Sequence, residues 1–182
     1  MAAESETKRF EVAVQIRNFE IELFWKRSIF FWGFIASAFI GYAALRKDNP
    51  DLAFPIVCFG LVCSFAWTLL NRGSKYWQES WESKVEKSEL EVTGKFFAEE
   101  ESIQYNKGCW LRARKYSVSK LAIALSDYVS VLWFSLLAAE LIRKYAPNYV
   151  ETLKSYGPAL FSAFSFVYVS LLIGFGRKSS RT

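Results

Sequence analysis

Apolar residues gather in four long blocks along the chain. The blocks cover residues 28–45, 52–70, 121–142 and 159–175, and Asp127 and Glu140 are the two charged residues inside them. A hydrocarbon core about 30 Å thick needs roughly 20 helical residues, or fewer where flanking side chains reach the head groups. The blocks lack the period-two alternation of barrel strands, and lipid offers the backbone no hydrogen-bond partner. The pattern therefore predicts an all-α membrane protein with four transmembrane helices.

A different pattern precedes the first block. Val12, Ile16, Phe19 and Leu23 recur at intervals of four, three and four residues, which places them on one face of a helix over residues 8–27. Charged residues occupy much of the remaining surface of this helix. Such an amphipathic helix lies in the head-group plane or packs on another cytoplasmic helix.

The second block has no strong helix breaker at its end. Trp77, Trp81 and Val85 follow at intervals of four, so the second helix is predicted to continue as a stalk until a Thr-Gly pair ends it after residue 92. A helix of about 38 residues would be about 57 Å long. The tryptophan face is too apolar to stay in water, and it needs cover from the N-terminal helix or from another subunit. We expect these three residues to form a subunit interface.

The placement of charge predicts how the chain crosses the membrane. The net charge is +5, and 18 of the 23 basic residues lie in residues 1–27, 71–120 and 176–182. The positive-inside rule places these three segments in the cytoplasm. The predicted organisation is an amphipathic helix (1–27), a transmembrane hairpin (28–70), a stalk with a basic-aromatic segment (71–120), a second hairpin (121–175) and a tail (176–182). Pro158 is predicted to be the first helical residue of the fourth span.

Small residues recur every four positions in the first span, at Gly33, Ser37 and Gly41. This spacing lets two helices approach closely in lipid, where van der Waals contact replaces the hydrophobic effect. The partner helix can belong to the same subunit or to another one.

Asp127 is the carboxylate deepest inside a span. Intramembrane acids usually face the bundle interior or water. Together with Ser126 and Ser130 it could line an ion path, or it could pair with Lys120 or Arg72 near the inner interface. Glu140 lies at the outer end of the same span, where it is expected to stay hydrated beside Arg143.

Basic and aromatic residues flank the inner ends of the spans. They can anchor the chain on anionic lipid or form a specific head-group pocket. The predicted head-group set is Arg72, Lys75, Trp110, Arg112, Arg114 and Lys115.

The sequence has little that predicts catalysis. It contains no histidine, which removes the commonest general base and metal ligand. It has no phosphate-binding loop, no dinucleotide fingerprint and no CxxC pair. We therefore expect no enzyme activity, no catalytic residues, no cofactor and no metal. The basic residues lie against a membrane, so lipid is the expected anion and nucleic acid is not an expected partner.

One longer pattern resembles a known family. The run from Asn71 to Glu82 reads NRGSKYWQESWE, and it is preceded by RNFEIELFWKR at residues 17–27 and followed by YSVSK at residues 116–120. Together these segments resemble the RipA family of octameric bacterial inner-membrane proteins. The resemblance implies a homo-oligomer in the bacterial cytoplasmic membrane with exposed cytoplasmic helices, linked to envelope homeostasis.

The expected function is that of a membrane scaffold or regulator whose cytoplasmic helices bind a protein partner. The alternative is a small ion channel or membrane-perturbing effector, for instance in phage defence. A lipid-handling role for the basic-aromatic segment is a third hypothesis.

Overall fold

The computed structural model describes residues 2–94 and 116–175, almost all of which are helical. The helices are α1 (Ala2–Leu45), α2 (Pro50–Val92), α3 (Val118–Tyr145) and α4 (Val150–Phe175), with a 3₁₀ turn at Pro147–Tyr149. Each of the four is long and apolar enough to cross a membrane. The predicted all-α membrane fold with four spans is confirmed.

The ends of α2 follow local sequence signals. The Asn49 side chain accepts a hydrogen bond from the Leu52 amide at 3.3 Å, and Pro50 is the first helical residue. At the other end Gly94 takes a φ of +79°, and its amide donates to the Glu89 carbonyl at 3.1 Å. A glycine with positive φ satisfies carbonyls that the last turn leaves free. The prediction that the second span continues as one helix to residue 92 is confirmed.

A local sequence signal also sets the start of α3, whereas α4 does not begin at the predicted residue. Ser117 caps α3, its side chain accepting from the Lys120 amide at 3.4 Å. Helix α4 begins at Val150, so Pro158 lies inside it and the prediction that Pro158 starts the helix is wrong. The turn that opens at Pro147 supplies an earlier start. Helix α4 continues through Pro158, although that residue has no N–H to donate and its ring crowds the carbonyl four residues earlier.

The chain divides into two compact units. Within the described residues, one unit, the charged unit, contains residues 2–29 and 70–94, and the other, the apolar unit, contains residues 30–69 and 116–175. Helices α1 and α2 each contribute to both.

The apolar unit is built around Trp133 of α3. Its ring is completely buried and stacks on Phe39 of α1, with ring centroids 4.3 Å apart. Tyr42, Ala53 and Val57 complete this cluster. A second cluster joins Ile35 of α1 to Cys63 and Trp67 of α2.

The charged unit buries apolar residues of both of its helices and a polar face of α2. Ala13 and Phe24 of α1 and Val85 of α2 are buried. The polar side chains Asn71, Ser74, Gln78 and Glu89 are also buried, at helical spacing along α2.

Candidate functional site

A cluster of ionic and polar side chains joins α1 to α3 in the apolar unit. The Tyr42 hydroxyl and the Arg143 guanidinium both donate to Glu140 Oε1, the latter at 2.6 Å. Arg46 Nε lies 3.7 Å from the same oxygen, and the Arg46 guanidinium also lies over the Tyr42 ring. Only 12% of the Glu140 side chain is exposed. One carboxylate therefore holds together groups from two helices.

This cluster corrects the expectation that Glu140 stays hydrated at the end of its span. Arg143 is the partner that the sequence indicated, because it lies one turn away on the same helix. Tyr42 and Arg46 were missed, since they lie on another helix. The available signal was a tyrosine in an apolar span, one turn before an arginine.

A second polar cluster lies between α2 and α3. The hydroxyls of Thr68 and Ser130 are 3.3 Å apart, and Ser130 donates to the Ser126 carbonyl at 2.9 Å. Ser126 is completely buried and donates to the carbonyl of Ile123. The Thr68–Ser130 contact joins two helices, and a contact of this kind contributes about 1 kcal/mol to helix association in lipid.

Asp127 lies beside this cluster. It is half-buried and has an interaction partner. The structure places Ser126 and Ser130 inside the chain, so a path along these serines would run within a subunit. The ion path stays a prediction.

Close packing of α2 on α3 depends on Gly60. A Cβ added at Gly60 would lie 2.5 Å from Cε2 of Trp133, well inside van der Waals contact. The glycine thus lets the indole ring lie directly on the backbone of α2. Trp133 Nε1 is buried there and has no hydrogen-bond partner among the described residues.

The small residues of the first span lie in different surroundings. A Cβ at Gly41 would lie 3.3 Å from Ile56 of the same chain, whereas one at Gly33 would meet nothing within 4 Å. Ser37 is exposed. Gly41 therefore packs within the chain, and Gly33 and Ser37 remain available for the predicted subunit contact.

The three residues of the predicted tryptophan interface point in different directions around the axis of α2. Trp77 is 51% exposed, Trp81 is half-buried and Val85 is 2% exposed. At 3.6 residues per turn, eight positions turn the helix surface by about 80° beyond two full turns. Trp77 thus faces outward, and Val85 packs inside the chain.

Trp81 lines a groove with the start of α1. The groove has a volume of about 300 Å³ and is lined by Ser5, Lys8, Arg9, Val12, Ala13 and Trp81. The Lys84 ammonium lies 3.8 Å from the centre of the Trp81 ring. The N-terminal helix therefore covers part of the tryptophan face, one of the two covers that the sequence left open.

The predicted head-group residues lie partly within the described chain. Arg72 is exposed, whereas Lys75 is half-buried and pairs with Glu79 at 2.7 Å. Trp110, Arg112, Arg114 and Lys115 lie outside the described residues. Their role remains a prediction.

Large apolar side chains are exposed in the charged unit. Phe19 is 56% exposed, and Tyr76 and Trp77, whose rings meet edge to face at 5.5 Å, are 67% and 51% exposed. Eight of residues 8–27 and nine of residues 71–92 are charged, whereas residues 30–45 and 52–70 carry no charge. Exposed apolar side chains in the uncharged helices suit contact with lipid. In the charged unit, exposed large apolar side chains on charged helix segments are typical of sites that contact another molecule.

Helices, polar clusters and surface together define a multi-pass membrane protein. Among the described residues, no group of three or more acidic or cysteine side chains is arranged to hold a metal ion. Residues 7–142 match the model of the octameric membrane protein family (8xMP), and the chain belongs to that family. No curated protein and no solved structure is significantly similar to the chain.

Proposed function

We propose that the chain is a RipA-like member of its family that assembles as a homo-octamer in the bacterial cytoplasmic membrane. In this proposal it acts as a non-enzymatic scaffold or regulator, and its charged unit binds neighbouring subunits and a cytoplasmic protein partner. The observation that carries the proposal is the exposed apolar pair Tyr76 and Trp77 on a helix segment too charged for the hydrocarbon core of a membrane.

A second copy of the chain is the occupant that best fits this surface. The family is named for its octameric assembly. Aromatic side chains are enriched in the buried centres of subunit interfaces. Because Trp77 lies on the outer face of α2, it can reach a neighbour without any change in the fold of its own chain.

The orientation is part of the proposal. The basic residues favour a cytoplasmic charged unit, with both termini on the same side. The Tyr42–Glu140 cluster would then lie toward the outer face of the membrane.

Replacing Trp77 by glutamate is expected to break the assembly. A central interface tryptophan contributes about 2 kcal/mol or more, which is roughly a 30-fold change in the dissociation constant of one contact. The mass of the purified particle in mild detergent, measured by light scattering, should fall toward that of smaller assemblies.

A matched control is Gln15→Glu, which makes the same charge change at an exposed polar position of the charged unit. This variant should keep the native mass. An unchanged mass for Trp77→Glu would remove Trp77 from the interface.

The alternative function is a small ion channel or membrane-perturbing effector, including one that acts in phage defence. Its supporting observation is a half-buried carboxylate, Asp127, in an otherwise apolar helix beside buried hydroxyls. Ionisable residues inside membranes often mark ion or proton pathways.

Ion flux through liposomes separates the two functions. The scaffold predicts the same background flux for the wild type and for Asp127→Asn. A conductance present in the wild type and reduced severalfold in Asp127→Asn, but kept in the exposed control Glu151→Gln, would favour the channel instead.

A further inference from the structure

Helix α4 attaches to α3 by a single face. The hydroxyls of Tyr128 and Ser165 are 2.8 Å apart, and the Tyr168 hydroxyl donates to the Ala124 carbonyl at 2.7 Å. The ring of Phe164 stacks nearly parallel on Tyr128, with centroids 6.0 Å apart. In lipid, where the hydrophobic effect does not drive helices together, such hydrogen bonds and van der Waals packing of rings hold a helix in place.

Beyond Lys154, the rest of α4 is open and carries no charge. None of its most apolar 18-residue window is buried. Residues 155–176 include no acidic or basic side chain. The large exposed side chains are all apolar: Leu160, Phe166, Val167, Val169, Leu171 and Ile173.

Tyrosines surround the start of this helix. Tyr145, Tyr149 and Tyr156 are 73%, 65% and 63% exposed. Amphipathic rings concentrate where lipid meets water. An exposed tyrosine belt beside the uncharged segment of residues 155–176 has the composition of a surface in contact with lipid.

The extent of the family match gives an independent indication of which helices form the assembly. It covers residues 7–142 and ends before α4 begins at Val150. The segments that members of an octameric family share lie in this matched part, which contains α1, α2 and nearly all of α3.

We propose that the outer face of α4 borders lipid acyl chains, and that the subunit contacts are made by α1, α2 and α3 alone. The inference rests on the proposed homo-oligomer and specifies which helices form its subunit contacts. Helix α4 is then a peripheral helix, fixed to its own subunit by Tyr128 and Tyr168.

Spin labelling of the full-length chain tests this inference. Cys58, Cys63 and Cys109 are replaced by alanine, and a nitroxide is attached at Phe166→Cys in the particle reconstituted into lipid nanodiscs. A second variant, Ile173→Cys, repeats the measurement on the same exposed surface. Phe161→Cys, on the half-buried face of α4, is the matched control.

Labels at residues 166 and 173 should be severalfold more accessible to oxygen than the label at residue 161. They should also show no dipolar broadening between subunits. Shielding of residues 166 and 173 from oxygen in a particle of octameric mass would overturn the inference and leave the assembly intact. A particle with the mass of one chain would overturn the proposed assembly itself.

Discussion

Replacing Glu140 by alanine is expected to destabilise the protein by about 1–3 kcal/mol, the loss typical of leaving the partners of a hydrogen-bonded group unsatisfied. Arg143 and the Tyr42 hydroxyl donate to the same carboxylate oxygen, and Arg46 lies 3.7 Å from it. Without that carboxylate, the Tyr42 hydroxyl and the two guanidinium groups lose the acceptor that they share. The loss should appear as a lower midpoint when the purified protein is heated in detergent and its folded fraction is followed by size-exclusion chromatography.

The structure offers a close control in the same half of the chain. Glu151 pairs with Lys154 at 2.7 Å with the same three-residue spacing, but its side chain is 83% exposed. Exposed pairs contribute between about 0 and 1 kcal/mol, so Glu151→Ala should leave the midpoint nearly unchanged. Equal losses for the two variants would show that burial of the Glu140 cluster does not matter.

The second large effect is expected at Gly60. An alanine there would place its Cβ 2.5 Å from the Trp133 ring. The ring cannot easily move, because it is completely buried and stacked on Phe39. Overpacking of this kind costs about 1–3 kcal/mol, since the helices must separate or the ring must leave its preferred rotamer.

Gly73→Ala is the matched variant in the same helix. A Cβ at Gly73 would meet nothing within 4 Å. Alanine is favoured over glycine in a helix by about 1 kcal/mol, so this variant should melt at the same temperature as the wild type or slightly higher. A midpoint for Gly60→Ala that equals that of Gly73→Ala would show that Trp133 does not rest on the α2 backbone.

Much of the fold could be predicted because its signals are local. The uncharged blocks, the Asn49-Pro50 start of α2, the Gly94 end and the Ser117 cap each act over a few residues. Span and cap positions follow from them without knowledge of any neighbour. The start of α4 was misplaced because two prolines, Pro147 and Pro158, both suit a first turn, and sequence alone does not choose between them.

The polar cluster was harder to predict because its partners are distant in sequence. Glu140 and Tyr42 are 98 residues apart. Their contact depends on how α1 and α3 are rotated about their axes. A span that is apolar on all sides has no hydrophobic pattern that specifies this rotation. Predicting the Gly60–Trp133 contact likewise requires knowing how α2 and α3 are rotated about their axes.

The direction in which Trp77 and Val85 point illustrates a different limit. Spacing at every fourth position suggests one continuous face. Over two turns, the drift of about 80° carries Val85 into the chain while Trp77 stays outside. Repeats of three and four alternating, as in the N-terminal helix, keep a face aligned better than repeats of four alone.

The most direct test of the account is the mass of the native assembly, extracted with its lipids and measured by native mass spectrometry. We predict eight copies of the 21.0 kDa chain, a protein mass of about 168 kDa, and a smaller assembly for Trp77→Glu. A wild-type particle with the mass of a single chain would contradict it.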